Sequence, residues 1–179
     1  MRQLGHYETL EKMPKMNIDC VLYVFDISSD NLGLILRSAD VFGVGAIYYH
    51  QGKNTFNNKH LAKLSRNSSV RVYFTDGTEP LLDLKKQGYQ IVALEITNTS
   101  NPIRQAAFHD KTCLIIGNEQ NGIPDEILEI ADFSCHIEMI GEHISSLNAS
   151  VAGSIALYEM TRHFLNKREA YHEYKPAEL

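Results

Sequence analysis

Residues 112–131, TCLIIGNEQNGIPDEILEIA, place an apolar run, a glycine loop and a helical pattern in immediate succession. The apolar run at 112–116 is short and continuous, which is typical of a buried strand. Pro124 opens a helix predicted over 125–131, because proline fits the first turn of a helix. This strand, loop and helix predict one unit of an α/β fold, with the loop at the carboxyl end of its strand.

The same alternation continues on both sides of this unit. Strands are predicted at residues 20–25, 46–49, 70–74, 89–94 and 133–137. Helices are predicted at 31–42, between a Thr78 cap and Gly88, and within 144–165. Because strands that alternate with helices pair in parallel, we predict an α/β protein with a parallel sheet and helices on both faces.

The composition indicates an ordinary globular protein, since 44% of the residues are hydrophobic and 22% are charged. No run approaches the roughly 20 consecutive apolar residues of a membrane-spanning helix, and residues 1–20 lack the apolar core of a secretory signal. Cys20, Cys113 and Cys135 are widely spaced among apolar neighbours, which indicates reduced core thiols. We therefore predict one cytoplasmic domain over 1–179, without a membrane partner.

A basic stretch interrupts an otherwise acidic chain. The formal net charge of −5 disfavours nucleic-acid binding through overall charge. Residues 53–71 nevertheless contain no Asp or Glu. They include Lys53, Lys59, Lys63 and Arg66. This stretch is either an RNA contact or a solvated surface segment, and its composition fits both.

Loops beyond the carboxyl ends of parallel strands bind the ligands of such sheets, so they form the candidate site. Asn31 follows the first predicted strand, and Arg37 lies six residues later. Six residues of helix turn through about 600°, so the two side chains do not share one helix face. Arg37 is either a functional cation or a snorkelling or ion-paired residue.

The glycine loop at 117–124 is the second candidate. Gly117 and Gly122 let the backbone turn sharply and approach a ligand closely. The loop lacks the third glycine of a dinucleotide fingerprint and the Lys-Ser or Lys-Thr ending of a phosphate loop. From these residues alone it is either a ligand loop or a tight structural turn.

The third candidate is the segment 137–148, IEMIGEHISSLN, and the helix that it enters. Polar residues before that helix predict a capped N-terminus, and the small residues from Ala149 to Ala156 allow a backbone or a ligand to approach. This is either a binding element or an ordinary packed helix. His136, Glu138, Glu142 and His143 are suitable metal ligands, but their spacing matches no strong pattern, so no metal is predicted.

Three segments, in order and spacing, resemble the motifs of one family. They are NLGLILRSADVFG at 31–43, LIIGNEQNGIP at 114–124, and IEMIG at 137–141 with SSLNASVA at 145–152. They are similar to the motifs of the SpoU-like RNA 2′-O-ribose methyltransferases of the SPOUT superfamily. The resemblance covers a core of about residues 20–163. The segment QIVALEITNTS at 90–100 looks like the tRNA guanosine 2′-O-methyltransferase branch.

The resemblance implies methylation of a ribose 2′-hydroxyl in RNA, most directly tRNA, with S-adenosylmethionine as cofactor. It also implies a homodimer, which we expect to be joined through the final helix because the small residues from Ala149 to Ala156 allow close packing. It further implies a C-terminal segment that threads a loop to form a trefoil knot. The implied catalytic residues are Arg37, Asn31, Glu119, Ser146 and Asn148. The implied cofactor-binding residues are Leu94, Gly117, Ile137, Met139 and Leu147. The basic residues Lys53, Lys59, Lys63 and Arg66 are the expected RNA contacts.

Two positions depart from the family pattern. Glu138 stands where the family usually has proline, and the segment from Gly141 to Ser146 is one residue longer than the common spacing. Alternative functions are therefore an rRNA 2′-O-methyltransferase and a non-catalytic RNA-binding protein of the same fold.

Overall fold

The structure is a computed structural model that describes residues 19–52 and 68–167, together with residues 3, 5 and 7–9. The strands are β1 Asp19–Phe25, β2 Ala46–His50, β3 Arg71–Thr75, β4 Gln90–Leu94, β5 Asn101–Pro102, β6 Lys111–Ile116 and β7 Phe133–His136. The helices are α1 Ser29–Val41, α2 Glu79–Lys86, α3 Asp125–Leu128 and α4 Ala149–Lys167. A 3-10 turn at Ile103–Gln105 follows β5.

The strands form one sheet in the order β3-β2-β1-β6-β4-β7-β5, and every pair is parallel. Tyr23 of β1 lies opposite Ile115 of β6, and Leu94 of β4 lies opposite Ile116. Because the strands are parallel, the loops after β1, β4, β6 and β7 all lie at the same end of the sheet, beyond the carboxyl ends of the strands. The predicted parallel sheet is confirmed.

Helices cover both faces of the sheet, as predicted. On one face, α1 and α4 pack through the buried residues Leu32, Ile35, Leu36, Ala39, Ala156, Leu157, Met160 and Phe164. On the other face, α2 and α3 pack through Leu81, Leu84 and Ile127. Successive side chains of β1 alternate between the two cores, which explains why this strand is apolar throughout.

The sequence predicted most element boundaries to within a residue or two. α1 begins after Ser28, whose side-chain oxygen accepts a hydrogen bond from the Asn31 backbone N–H at 3.2 Å. Its end is followed by Gly43, whose backbone is left-handed, with φ 74°. Thr78 occupies the cap position of α2 but forms no side-chain capping bond. The helix predicted over 125–131 ends earlier, at Leu128.

Strand β5 was not predicted. It contains only Asn101 and Pro102, and it pairs with the end of β7. A strand of two residues is too short to show the apolar or alternating pattern from which strands are predicted. Its pairing with β7 is therefore visible only in the structure.

Burial accounts for the state of the cysteines. Cys20, Cys113 and Cys135 are free and buried. Burial raises the pKa of the Cys20 and Cys135 thiols to about 12. These thiols therefore remain protonated near neutral pH and behave as small apolar core groups.

None of the helices that the structure describes combines the length and the apolar character that crossing a bilayer requires.

Candidate active site

A cavity of about 450 Å³ opens at the carboxyl ends of β4, β6 and β7. Its lining comprises residues 94–96, 116–123, 136–137, 139, 145–147, 149 and 152. The five residues expected to bind a cofactor all lie in this lining, namely Leu94, Gly117, Ile137, Met139 and Leu147. The structure thus brings together three segments that are far apart in the chain.

The glycine loop between β6 and α3 is a closed turn. The Asn118 N–H donates to the Gly122 carbonyl at 3.1 Å, and the Gly122 N–H donates to the Asn118 carbonyl at 2.8 Å. The side-chain oxygen of Asn118 accepts from the Gln120 N–H at 2.8 Å. Gly122 has φ 67°, a conformation that favours glycine. The two interpretations left open by the sequence are therefore compatible, because this tight turn also forms a wall of the cavity.

Gly117 allows the loop to fold back on itself. A Cβ atom at this position would lie 2.6 Å from the backbone carbonyl carbon of Gly122 and 2.7 Å from Cγ1 of Ile123. Both distances are well below van der Waals contact. Any larger residue here must displace the turn, so Gly117 determines the shape of this cavity wall.

Glu95 holds the loop from the other side, and the sequence analysis missed it. One carboxylate oxygen accepts from the Ile123 N–H at 3.1 Å, and the other accepts from the Ile96 N–H at 2.9 Å. The carboxylate therefore ties the end of β4 to the glycine loop. Its position directly after a predicted strand was the available signal, although its partner in the glycine loop is distant in sequence.

Three expected catalytic side chains form a hydrogen-bonded chain. The Asn148 side-chain amide donates to the side-chain oxygen of Asn31 at 3.0 Å, and the Asn31 amide donates to the Glu119 carboxylate. Asn148 also caps α4, because its oxygen accepts from the Ser150 N–H at 2.9 Å. The starts of α1 and α4 are thereby connected to the glycine loop. Ser146 lines the adjacent cavity.

A backbone contact supports this arrangement. The Asn118 side-chain amide donates to the Asp26 carbonyl at 2.5 Å. Asp26 has φ 46°, an uncommon conformation for a residue with a side chain, at the turn between β1 and α1. The bond therefore fixes the glycine loop against the turn that leads to Asn31. The sequence did not indicate these roles of Asn118 and Asp26, because neither residue type nor spacing predicts a side-chain bond to a distant backbone carbonyl.

Arg37 is placed apart from this cluster. Its side chain is exposed, it is absent from the cavity lining, and it forms no hydrogen bond or ion pair with a described residue. It lies on α1 between the exposed residues Leu34 and Val41. Within this chain, the structure therefore does not bring Arg37 together with Asn31, in agreement with their angular separation on the helix.

The unusual Glu138 has a defined partner. Its carboxylate forms an ion pair with Arg104 of the 3-10 turn after β5. The flanking residues Ile137 and Met139 both line the cavity. Although Glu138 replaces the usual proline and the following loop is one residue longer, Ile137 and Met139 still line the cavity.

The side chains considered as metal ligands are engaged elsewhere or separated. His136 Nδ1 lies 2.9 Å from Ser100 Oγ, within hydrogen-bonding distance, and Glu138 pairs with Arg104. In the part of the chain that the structure describes, no group of three or more His, Cys, Asp or Glu side chains could hold a metal ion.

The small residues of α4 pack mainly against other parts of the same chain. A Cβ atom at Gly153 would lie 2.8 Å from Ile116 Cδ1. Ser154 Oγ lies 2.7 Å from Ser38 Oγ of α1, and Ala156 is fully buried. The small residues thus let α4 approach the sheet and α1, which is the packed-helix interpretation. The outer side of α4 carries Val151 and Tyr158 instead.

The expected RNA contacts Lys53, Lys59, Lys63 and Arg66 lie outside the described residues. They remain predictions from the sequence.

Comparison with known proteins identifies the family. The model of the SpoU rRNA Methylase family matches residues 20–158. The tRNA (guanosine(18)-2'-O)-methyltransferase of Aquifex aeolicus is 34% identical over 158 residues, which are 87% of this chain and 73% of that protein. The Escherichia coli (strain K12) protein of the same name is 34% identical over 134 residues, 74% of this chain and 58% of that protein. The chain belongs to the SpoU rRNA Methylase family.

Solved structures share the fold. The A. aeolicus TrmH/SpoU tRNA modifying enzyme is 31% identical, with a TM-score of 0.72 over 93% of this chain and 84% of that one. The AdoMet-bound rRNA methyltransferase from Sinorhizobium meliloti is 26% identical, with a TM-score of 0.72 over 87% of this chain and 60% of that one. The chain therefore spans only part of the length of several relatives, for example 58% of the E. coli protein.

Proposed function

We propose that this protein transfers a methyl group from S-adenosylmethionine to a ribose 2′-hydroxyl of RNA, with tRNA as the favoured substrate. The observation that carries the proposal is the junction of the cavity with the Asn31–Glu119–Asn148 chain. Family membership and the names of the A. aeolicus and E. coli relatives support the substrate class. A tRNA substrate would place the protein in the cytoplasm.

The cavity fits a nucleoside cofactor. Its volume of about 450 Å³ lies in the range of small-molecule sites, roughly 300–1,000 Å³. Leu94, Ile137 and Leu147 offer apolar surface for a base, and Met139 lies in the same lining. Gly117 leaves the loop backbone without an obstructing side chain. The cofactor supplies an electrophilic methyl group on a positively charged sulfur.

The surrounding polar residues would orient the nucleophile. In the reaction, a bond forms between the ribose 2′-oxygen and the methyl carbon, while the carbon–sulfur bond breaks and its electron pair stays on sulfur. The hydroxyl proton leaves to water or to a phosphate oxygen. Asn31, Glu119 and Asn148 form a fixed chain of donors and acceptors beside Ser146. Such orientation accounts for roughly 7 to 11 kcal/mol of a barrier in favourable cases.

Arg37 is proposed to hold the RNA rather than to remove the proton. A guanidinium keeps its proton in proteins and offers planar pairs of N–H donors that match a phosphate group. Since Arg37 is exposed and lies outside the cavity of its own protomer, we propose that it acts at the cavity of a partner protomer in a homodimer.

The proposed dimer interface is the outer face of α1 and α4. Leu34 and Val41 are exposed on α1, and Val151 and Tyr158 are exposed on α4. In each helix the two residues are seven apart, so they lie on one side of the helix. The Tyr158 ring contacts Phe42 at 6.4 Å between centroids, which joins the two helices into one apolar surface. A second copy of the chain covers this surface and receives Arg37.

We predict that the protein is a dimer in solution and that Val151→Glu converts it to a monomer. The buried charge would carry a desolvation cost without a partner. Light scattering at micromolar concentration measures the mass. Leu82→Glu is the matched control, because Leu82 is similarly exposed but lies on α2, on the opposite face of the sheet. A monomeric wild-type protein would contradict the prediction.

We also propose the trefoil knot that characterises the resemblance, with the segment after β7 threaded before α4. In support, residues 145–147 lie beside residues 117–123 around one cavity although the two segments are distant in sequence.

An rRNA substrate is the second candidate, favoured by the family description and by the S. meliloti relative. Calorimetry with S-adenosylmethionine tests the cofactor, and transfer assays on bulk tRNA and rRNA separate the substrates. Residues Lys53, Lys59, Lys63 and Arg66 are proposed to contact the RNA backbone in either case. Absence of cofactor binding would leave an RNA-binding protein of the same fold.

A further inference from the structure

Glu95 places a fixed negative charge in the wall of the cavity. Its two carboxylate oxygens accept backbone N–H groups of Ile96 at 2.9 Å and Ile123 at 3.1 Å. These bonds hold the side chain at the junction of β4 and the glycine loop. Each oxygen retains a further lone pair, so the group can still respond to a ligand.

The charged side chains that this chain's described residues contribute to the cavity lining have one sign. Among the residues that the structure describes, Glu95 and Glu119 are the acidic residues of the lining, and no Lys or Arg lines it. Glu119 is engaged by the Asn31 amide. Arg104, a nearby cation, is paired with Glu138, which is outside the lining. The lining therefore favours a ligand that carries positive charge.

We propose that Glu95 makes this cavity selective for the positively charged methyl donor over the neutral sulfide that remains after transfer. This inference rests on the proposed function. The donor and the product share their adenosine and amino-acid parts, and they differ in the methyl group and the charge on sulfur. A carboxylate fixed in the wall distinguishes them by that charge, and it weakens the binding of the product once the methyl group has left.

The expected effect follows from the attraction between the Glu95 carboxylate and a charge on a ligand in the same cavity. In a partly exposed site, one such unit charge changes the binding constant about three- to tenfold. The effect is confined to ligands that are charged at the sulfur position. A change in the shape of the wall would instead weaken all ligands together.

The experiment measures three dissociation constants by calorimetry on the full-length protein and on Glu95→Gln. The ligands are S-adenosylmethionine, S-adenosylhomocysteine, and sinefungin, in which an amine-bearing carbon replaces the charged sulfur. Glutamine retains one side-chain oxygen, which can accept from the Ile123 N–H so that the loop keeps its attachment, while the bond from the Ile96 N–H is lost. That loss does not depend on the charge of the ligand, so it would affect the three ligands alike. Glu129→Gln, at an exposed residue outside the cavity, controls for the change in net charge.

We expect Glu95→Gln to raise the dissociation constants of S-adenosylmethionine and sinefungin about three- to tenfold. The dissociation constant of S-adenosylhomocysteine should change by less than about twofold. Glu129→Gln should change none of the three. Equal weakening of all three ligands, or unchanged affinities, would overturn the role of the Glu95 charge. If wild-type protein bound none of the three, the proposed function itself would fail, and this inference with it.

Discussion

Arg37→Lys is expected to lower the rate of methyl transfer about a hundredfold while leaving cofactor affinity nearly unchanged. The substitution retains the positive charge but replaces a planar fork of donors with a compact ammonium group. If Arg37 positions a phosphate, loss of the paired geometry misplaces the nucleophile, and a displacement of about 1 Å is enough for a loss of this size. Single-turnover kinetics at saturating RNA measure the rate.

A thermal melt beside the kinetics separates catalysis from stability. Arg37 has no hydrogen bond or ion pair with a described residue, so the variant should melt close to wild type. Arg71→Lys is the control. Arg71 ends the basic stretch, so its substitution can act on RNA affinity, which saturating RNA removes from the measured rate. It lies at the amino end of β3, whereas the cavity lies at the carboxyl ends of the strands. A nearly normal rate in a destabilised variant would contradict the proposed role.

Gly117→Val should weaken the binding of S-adenosylmethionine by about a hundredfold or more. A Cβ atom alone would overlap the backbone of Gly122 and the side chain of Ile123, and valine adds two further carbons. The turn must therefore move away from the position in which it lines the cavity. Calorimetry measures the affinity, and circular dichroism shows whether the sheet and helices are retained.

Gly141→Val provides the matched control for Gly117→Val. A Cβ atom at Gly141 would meet nothing within 4 Å, and Gly141 does not line the cavity. We expect this variant to bind the cofactor like wild type. Unchanged affinity in Gly117→Val would remove the glycine loop from the cofactor site.

Mixing these two inactive variants tests whether Arg37 acts across the dimer. In a heterodimer, the intact cavity of the Arg37→Lys protomer would meet the intact Arg37 of the Gly117→Val protomer. Random mixing should then restore about a quarter of wild-type activity, because half of the dimers have one complete site of two. If Arg37 acts within its own protomer, the mixture stays inactive.

Local sequence patterns were sufficient for most of the fold. The apolar run at 112–116 and the glycines that follow it predicted β6 and its turn, because burial on both faces and sharp turning each require particular residues. The two-residue strand β5 was missed, since its pairing with β7 depends on a neighbour rather than on its own composition. The small residues of α4 were correctly associated with close packing, but sequence alone did not reveal that they face inward.

The candidate site was predictable only in part. The five cofactor-binding residues carried over from the family resemblance, such as Gly117 and Leu147, line one cavity, whereas Arg37 lies outside it. Glu95 was missed because its contact with Ile123 joins two loops through a backbone N–H, which leaves no side-chain pattern. The separation of Arg37 from Asn31 followed from helix geometry. The proposed action of Arg37 at a partner's cavity could not be predicted, because residue spacing describes contacts within one chain only.

The most direct test of the proposed function is transfer of a radioactive methyl group from S-adenosylmethionine to RNA. Methylation of a 2′-oxygen blocks alkaline cleavage at that ribose, so digestion leaves a labelled, uncleaved dinucleotide. We expect such a product from tRNA with the wild-type protein, and its loss with Gly117→Val. If the protein binds the cofactor but no label appears in a 2′-O-methylated dinucleotide from either tRNA or rRNA, the proposed function is contradicted.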